Sequence, residues 1–398
     1  MGNNVALKTK KWGIIIALID KNWGIYFALN WGILLALTGE LWLPPTMRYA
    51  KIDSQYYCGI DLHARTMYVC VMDKQGNILL HRNMDNNFNE FKNYLEPFIP
   101  DVAVGVESSC YYYWISDACK KENIDFYLGH AFYMKAISGG KVKNDRVDSR
   151  KIADLLRANL FPLAYPYPEE MRATRDLLRR RHYFVRRRAG TYTHMQILCM
   201  QHGMYDVSSK IVKDEKDRLK LIKFFDNPDL KLMLQIDIDY IESLHPIIER
   251  LEKRIRKQAK HHNQRDYQLL MTIPGVGEML GLVILYETHD ISRFEKVQHY
   301  SSYCGVVKCE RSSAGKIIGS KNNKIRNPYL KWAFGDVIIK AQQVEPKIDK
   351  LYQRLKSKYG LGRAKSIIAH RFNVAAYFML KNKQVFDVDR FCQSSKYN

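Results

Sequence analysis

Four acidic side chains have the spacing and surroundings expected of metal ligands. Asp145 and Asp148 lie three residues apart in the basic stretch KVKNDRVDSRKIADLL, Asp61 lies in YYCGIDL, and Glu107 ends DVAVGVE. Helix capping would explain one aspartate of the pair but not both, and an acid in so apolar a strand as that of Asp61 is costly without a partner. Four carboxylates at the ends of neighbouring elements could instead hold two Mg²⁺ ions about 4 Å apart, which would clamp a phosphodiester.

The elements that must position these acids follow a definite order. From Tyr57 the alternation of residues predicts three short strands, with Asp61 midway along the first and turns at residues 63–65 and 74–77. A helix, a buried strand ending in Glu107, a helix, a strand and a last helix follow. This order predicts an α/β, ribonuclease H-like domain over residues 56–165. His63, in the first turn, could assist the acids, although a turn histidine is more often only solvated.

A second group that could do chemistry lies in the window VVKCERSSAGKIIGSKNNKIRN. Ser312 and Ser313 are flanked by three cations, Lys308, Arg311 and Lys316. Serine is a weak nucleophile unless a base or a strong field activates it, and cations would stabilise a phosphorane-like transition state. A polar surface loop would have the same composition, so this window by itself leaves both interpretations open.

A basic helical segment occupies residues 168–262. Asp176 is the only acid near its six clustered arginines, whereas a solvated helix face normally mixes both signs of charge. The cluster therefore predicts contact with phosphates of DNA or structured RNA, with a plain exposed helix as the alternative. Its members are Arg179, Arg180, Arg181, Arg186, Arg187 and Arg188.

The same segment carries apolar residues near heptad spacing. They predict one half of a coiled-coil pair, which could either link the two ends of the chain or join protomers. The residues are Leu244, Ile247, Ile248, Leu251 and Ile255.

Residues 265–385 predict a mainly α-helical domain with a helix-hairpin-helix-like element. Gly275 and Gly277 occur in the turn IPGVGE between apolar helices. Such glycines let backbone N–H groups approach a phosphate without sequence preference. An ordinary turn between two helices would use the same glycines.

Composition limits the class of protein further. The chain has 398 residues and a formal net charge of +22, which is typical of a globular protein that meets a polyanion. Its eight cysteines form no C-x-x-C pair, which argues against a zinc ribbon and a disulfide scaffold and favours a reduced, cytoplasmic protein.

Residues 1–48 differ from the rest of the chain. Three W-G-I-x-x-A-L copies begin at Trp12, Trp23 and Trp31, but charged residues interrupt the stretch before it reaches the length of a membrane span. We expect an upstream extension from a misplaced start, with the working protein beginning near Met47. A membrane-associating hairpin is the alternative.

The motifs around the acids and the serines resemble those of one family. GIDLHARTMYVCVMD, VGVESS and KNDRVDSRKIADLL resemble the Asp-Glu-Asp-Asp motifs of the DEDD-type insertion-sequence transposases, the Piv/MooV invertase-like recombinases with a RuvC-like N-terminal domain. On that resemblance the four acids are the metal-binding tetrad. The later window is similar to the family's C-terminal transposase domain, where Ser313 is the favoured nucleophile and Ser312 the alternative. Ala314 and Lys331 depart from the family pattern, which has Gly and Arg there.

The resemblance implies a DNA recombinase of a mobile element that cleaves and rejoins strands through a covalent phosphoserine. It further implies a structured bridge RNA as guide, a homodimer or homotetramer with a coiled-coil dimerisation element, and no small-molecule substrate. Two alternatives stay open: a metal-dependent, Holliday-junction-type endonuclease with an inert serine, and a basic nucleic-acid-binding scaffold without catalysis.

Overall fold

The computed structural model describes residues 48–137, 144–307, 311–313, 316–319 and 326–393. The chain divides into two compact units, with the boundary between Tyr167 and Pro168. The predictions made for residues 1–47 and for Lys308 lie outside the described residues. Within the described part, every cysteine is free, and no helix combines the length and the apolar character needed to cross a membrane.

A mixed five-stranded sheet forms the centre of the first unit. The strand order is β3-β2-β1-β4-β5, in which β1 to β3 are antiparallel and β4 and β5 run parallel to β1. This arrangement fits the predicted α/β, ribonuclease H-like class. The strands are β1 (Tyr56–Leu62), β2 (Thr66–Asp73), β3 (Ile78–Asp85), β4 (Val102–Glu107) and β5 (Asp125–Gly129).

Helices cover both faces of this sheet, so the central strands are buried on both sides and carry few polar residues. Phe91 and Ile115 from two helices join one apolar cluster, and Ile152 and Leu156 from another helix join the second. The helices are α1 (Phe88–Leu95), α2 (Tyr113–Lys121), α3 (Ala131–Ile137) and α4 (Asp145–Arg157). No residue pattern in the sequence predicts α3, because seven residues are too few to display a helical period.

Two long helices, α5 (Glu169–Gln201) and α8 (Pro228–Ala259), begin the second unit and pack along each other. His194 lies 2.6 Å from Asp237, and Arg181 lies 2.7 Å from Glu252, so residue numbers rise along α5 as they fall along α8 and the pair is antiparallel. The buried residues of α8 continue the predicted heptad. They are Leu234, Ile238, Ile241, Leu244, Ile248, Ile255 and Ala259. The coiled-coil half predicted from sequence therefore has its partner within the same chain.

Shorter elements complete the second unit. The predicted middle and C-terminal segments both belong to it, and α5 also packs against the apolar helix that follows the IPGVGE turn. Its remaining elements are α6 (Ser209–Lys213), α7 (Glu215–Lys220), α9 (Gln264–Met271), α10 (Glu278–Thr288), α11 (Val297–Cys304), β6 (Arg311–Ser313), β7 (Lys316–Gly319), α12 (Pro328–Val344), α13 (Pro346–Tyr359), α14 (Leu361–Asn382) and α15 (Val388–Gln393).

Candidate active site

Asp61, His63 and Asp145 form a cluster at one edge of the sheet. Nε2 of His63 lies 3.4 Å from Oδ2 of Asp61 and 3.3 Å from Oδ2 of Asp145. One ligand atom from each of the three residues lies within 4.8 Å of the others. Asp61 is the penultimate residue of β1, not midway along it as the sequence analysis expected, so its carboxylate reaches the carboxyl edge of the sheet.

Two paired glycines explain why α4 approaches this edge so closely. Gly59 and Gly105 are register partners on β1 and β4. A Cβ on Gly59 would lie 2.2 Å from the backbone oxygen of Ser149, and one on Gly105 would lie 2.6 Å from Cδ1 of Leu156. Because residues two apart on a strand share a face, Asp61 projects on the side of the sheet that α4 covers.

The first turn of α4 supplies both members of the aspartate pair. Asn144 caps the helix, since its side chain accepts a hydrogen bond from the amide of Arg146 at 3.0 Å. Asp145 is the first helical residue, and Asp148 forms an ion pair with Lys151 at 3.2 Å. The structure thus rules out the capping explanation for Asp148, because a different residue fills that role.

The electrostatics of Asp61 reflect its crowded position. Burial raises the pKa of this carboxyl group above its ordinary value, and the negative charges of Asp145 and Asp148 raise it further, against the opposing effect of His63. The charged form therefore has a cost in the folded protein. A divalent cation would remove that cost by neutralising the acids together.

Glu107 lies on the neighbouring strand at the same edge. It is the last residue of β4, and the register pairs Ile60 with Val106, so Asp61 and Glu107 follow at adjacent positions on parallel strands. Neighbouring strands are about 4.8 Å apart, and the carboxyl ends of parallel strands meet at one edge. Glu107 thus lies at the predicted strand end, beside the strand that carries Asp61, although it is not a member of the cluster of Asp61, His63 and Asp145.

His63 is the site residue for which the sequence left two roles open, assisting the acids or being only solvated. Its side chain is 49% exposed and therefore solvated, and its ring also lies between two aspartates. The available signal was the Asp-x-His spacing at a strand end, since side chains two residues apart on an extended backbone point to the same side.

Ser312 and Ser313 lie on β6 of a two-stranded hairpin, where sequence had suggested an irregular loop. Ser313 pairs with Lys316 of β7, and the register shifts between Arg311 and Ser312. The hairpin therefore carries both serines and two of the three predicted cations on paired strands.

Two arginines of the predicted phosphate-binding cluster are already bonded within the fold. Arg179 donates to both oxygens of Glu287 at 2.6 and 2.8 Å, and Arg181 donates to Glu252 at 2.7 and 3.0 Å. These acids lie 108 and 71 residues away in sequence, so counting local acids did not reveal them. The scarcity of local acids therefore did not mean that these two residues lack acidic partners.

The other arginines are better placed for an external partner. Arg180, Arg186 and Arg187 are exposed, and the guanidinium groups of Arg180 and Arg187 lie 5.0 and 5.1 Å from the ring of the exposed Tyr183. Arg180 also lies 4.7 Å from the ring of Phe184. Residues 180, 183, 184 and 187, which we call the arginine–tyrosine face, share one side of α5 by their spacing.

The glycines of the IPGVGE turn serve the turn itself. Gly275 has a φ of +85°, and a Cβ there would lie 2.4 Å from the backbone nitrogen of Ala341 in α12. Its conformation and its contact with α12 therefore explain Gly275 without a phosphate. Gly277 is the N-cap of α10 and has no atom within 4 Å of a built Cβ among the residues described.

Comparison with known proteins agrees with these features. Residues 58–201 match the model of a DEDD transposase of the IS110 type, and residues 267–353 match that of the transposase IS116/IS110/IS902 family. A Streptomyces coelicolor mini-circle protein assigned as the transposase for IS117 is 29% identical over 168 residues, 40% of this chain and 37% of that protein. The transposase for insertion sequence element IS1111A of Coxiella burnetii is 22% identical over 65% of this chain and 70% of its own length. The chain belongs to the DEDD-type transposases of the IS110 family.

Proposed function

We propose that this protein is the transposase of a mobile insertion element, which cleaves and rejoins DNA with a metal-bound acidic site and a serine nucleophile. The observation that carries the proposal is the meeting of Asp61 and Asp145, distant in sequence, at the edge of a ribonuclease H-like sheet. Glu107 and Asp148 complete the acidic tetrad, and His63 adds a nitrogen donor.

The donor set suits a divalent cation. Adjacent ligand atoms around an octahedral Mg²⁺ or Mn²⁺ are about 3 Å apart, because each bond is roughly 2.1 Å long. The separations of 3.3 and 3.4 Å between His63 and the two aspartates are close to that spacing. When bound, such ions polarise the phosphate and stabilise the departing oxygen. Carboxylates suit both Mg²⁺ and Mn²⁺, and the imidazole of His63 is a ligand typical of transition-metal ions.

The residues of the serine hairpin supply the proposed nucleophile. Oγ of Ser313 attacks the phosphorus atom and forms a phosphoserine bond, while the bond from phosphorus to the 3′ oxygen breaks and the serine proton passes to solvent or a nearby base. The 3′ hydroxyl of a new strand then attacks the phosphoserine, which restores Ser313 and joins the DNA. Lys316, paired with Ser313 across the hairpin, offers a positive charge for the transition state.

Nucleic acid is the proposed partner, with a structured guide RNA beside the DNA. The net charge of +22 supports a polyanionic partner. The arginine–tyrosine face supports it at the residue level, since arginines neutralise phosphates and an exposed ring can stack on a base. The RNA itself is an implication of the family resemblance, and this face is our candidate contact for it.

Self-association is part of the proposal, as a homodimer or a homotetramer. The side of α8 turned away from α5 carries four exposed apolar residues, Leu232, Met233, Ile236 and Tyr240, with 41 to 58% of each exposed. Leu232, Ile236 and Tyr240 are spaced four residues apart and so form one stripe. An exposed apolar stripe of this kind suits a helix from a second copy.

Two substitutions test this function against its alternatives. Ser313→Ala should abolish the covalent protein–DNA adduct seen on denaturing gels, and Asp61→Asn should reduce strand cleavage by at least 100-fold. A variant with alanine at position 313 that still cleaves DNA normally would identify a metal-dependent endonuclease instead. Wild-type protein that binds nucleic acid without cleaving it, together with equal binding by Asp61→Asn, would leave only a binding scaffold. Ser312→Ala shows whether the neighbouring hydroxyl is the true nucleophile.

A further inference from the structure

A buried carboxylate lies where the serine hairpin joins the helices. Glu287, near the end of α10, is only 3% exposed. Its two oxygens accept hydrogen bonds from Nε and Nη2 of Arg179, and Oε2 also accepts one from Nδ2 of Asn327 at 2.7 Å. A buried carboxylate is costly unless it is paired and hydrogen-bonded, and these three bonds meet that requirement.

The residues around Glu287 close the base of the hairpin segment. Tyr303 lies at the end of α11, and Asn327 precedes the first residue of α12, so together they flank residues 304–326. The amide of Asn327 donates to the backbone oxygen of Tyr303 at 2.7 Å, and Nδ2 of Asn327 lies 3.2 Å from the Tyr303 hydroxyl. That hydroxyl also reaches the backbone oxygen of Glu287 at 3.4 Å. Tyr303 and Asn327 are thus hydrogen-bonded to each other and to Glu287.

Asn327 links this base to the start of α12. Its Oδ1 accepts hydrogen bonds from the amides of Tyr329 and Leu330 at 3.0 and 3.1 Å, which makes it the N-cap of the helix. Its Nδ2 is then directed to Glu287, so one side chain uses both of its polar ends. Arg179 lies 4.8 Å from the ring of Tyr329, so α5, α10 and α12 meet at this point.

We propose that Glu287 is a positioning residue for the serine hairpin. With Arg179 and Asn327, it fixes where the segment that carries Ser313 leaves and rejoins the helices, and so holds the serine ready for attack. This inference rests on the proposed role of Ser313 as nucleophile. A purely structural role, in which the ion pair only joins α5 to α10, is the competing explanation.

The chain contains a matched control for that explanation. Arg181, which like Arg179 lies on α5, forms an ion pair with Glu252 of α8 at similar distances. This pair joins α5 to α8. Among the described residues, Glu252 shares no hydrogen bond with Tyr303 or Asn327. Glu252→Gln therefore weakens this ion pair, and the pair that Glu252 forms with Arg256 at 3.3 Å, without touching the hairpin base.

The experiment compares Glu287→Gln with Glu252→Gln in the full chain. Tm is measured for both variants by thermal unfolding. Two further quantities are then measured at a temperature at which both are folded: the rate of covalent adduct formation with labelled DNA, and hydrogen–deuterium exchange of peptides spanning residues 303–331. We expect Glu287→Gln to slow adduct formation at least tenfold and to speed exchange of those peptides. Glu252→Gln should change Tm but neither of the other two quantities.

A second variant guards against loss of folding. Asn327→Ser keeps an N-cap for α12 but is too short to reach Glu287, so it should reproduce both effects with a smaller loss of stability. If wild-type protein forms an adduct while Glu287→Gln and Glu252→Gln behave alike, the positioning role is wrong. If wild-type protein forms no adduct at Ser313, the proposed nucleophile is wrong, and this outcome is separate from the first.

Discussion

The carboxylate of Asp61 is half-buried. The ring of His63 lies between it and the carboxylate of Asp145. Such an arrangement is unfavourable for the protein without metal and favourable once a cation binds. Perturbed carboxyl groups of this kind are concentrated at functional sites, because the groups needed for chemistry are often those that the fold would otherwise exclude. The position of Asp61 therefore lowers the stability of the metal-free protein and at the same time allows the site to hold a cation.

Replacing Asp61 with asparagine should raise the stability of the metal-free protein. The pKa of Asp61 is raised in the folded state, so as the pH rises above the ordinary value of about 4 the charged form increasingly disfavours folding. We expect Tm in excess chelator at pH 7 to rise by about 1–3 °C. The gain should disappear below about pH 4, where the carboxyl group is protonated in both states.

The control for this prediction is Asp154→Asn. Asp154 lies on α4 and forms half-exposed ion pairs with Arg150 and Arg157, so its removal should leave Tm unchanged or slightly lower. Addition of Mn²⁺ should raise the Tm of wild-type protein but have little effect on Asp61→Asn. A lower Tm for Asp61→Asn in chelator would contradict the prediction.

At the scale of elements, the site depends on how closely α4 lies against the sheet. Gly59 and Gly105 provide a flat surface on two adjacent strands, and the backbone of α4 occupies the space that side chains would fill. The helix thereby brings Asp145 to the strand end that carries Asp61. Packing and metal binding are coupled through this single contact.

The substitution Gly59→Ala should damage both properties. Its Cβ would meet the backbone atoms of Ser149 and Ala153 at 2.2 and 2.3 Å, which no rotamer change can relieve, so α4 must shift. We expect a loss of about 1–3 kcal/mol in the free energy of unfolding, together with weaker Mn²⁺ binding measured by calorimetry. Gly190→Ala is the opposite case, because that position on α5 is open and alanine should stabilise the helix by about 0.5–1 kcal/mol. Equal effects of the two substitutions would show that α4 packing is not the cause.

At the scale of the whole molecule, some arginines form ion pairs inside the fold and others are exposed to solvent. Arg179 and Arg181 join helices of the second unit through buried or half-buried acids. Arg180 and Arg187 instead remain exposed beside Tyr183. The count of 63 lysines and arginines therefore overstates the number of cations that are available to a nucleic acid.

Salt dependence of binding should distinguish these two classes of arginine. The double substitution Arg180→Gln, Arg187→Gln should reduce the slope of log affinity against log salt concentration by about 2, because two phosphate contacts are lost. Arg181→Gln should instead lower Tm and leave the slope unchanged, since its charge is already paired with Glu252. Fluorescence anisotropy of labelled nucleic acid at several salt concentrations measures the slope. If Arg181→Gln changes the slope as much as the double substitution, the division into classes is wrong.

The sequence by itself determined the succession of strands along the chain in the first unit, the positions of its first two turns, and the location of Glu107 at a strand end. These features depend on alternation and turn residues close together in the chain, and local patterns report local structure. Only the tertiary structure decided that His63 lies between two aspartates, that Asn144 and not Asp148 caps α4, and that the coiled-coil partner of α8 is α5. It also decided that Arg179 pairs with Glu287, 108 residues away. Tertiary packing determines such partners, and no local pattern in the sequence encodes them.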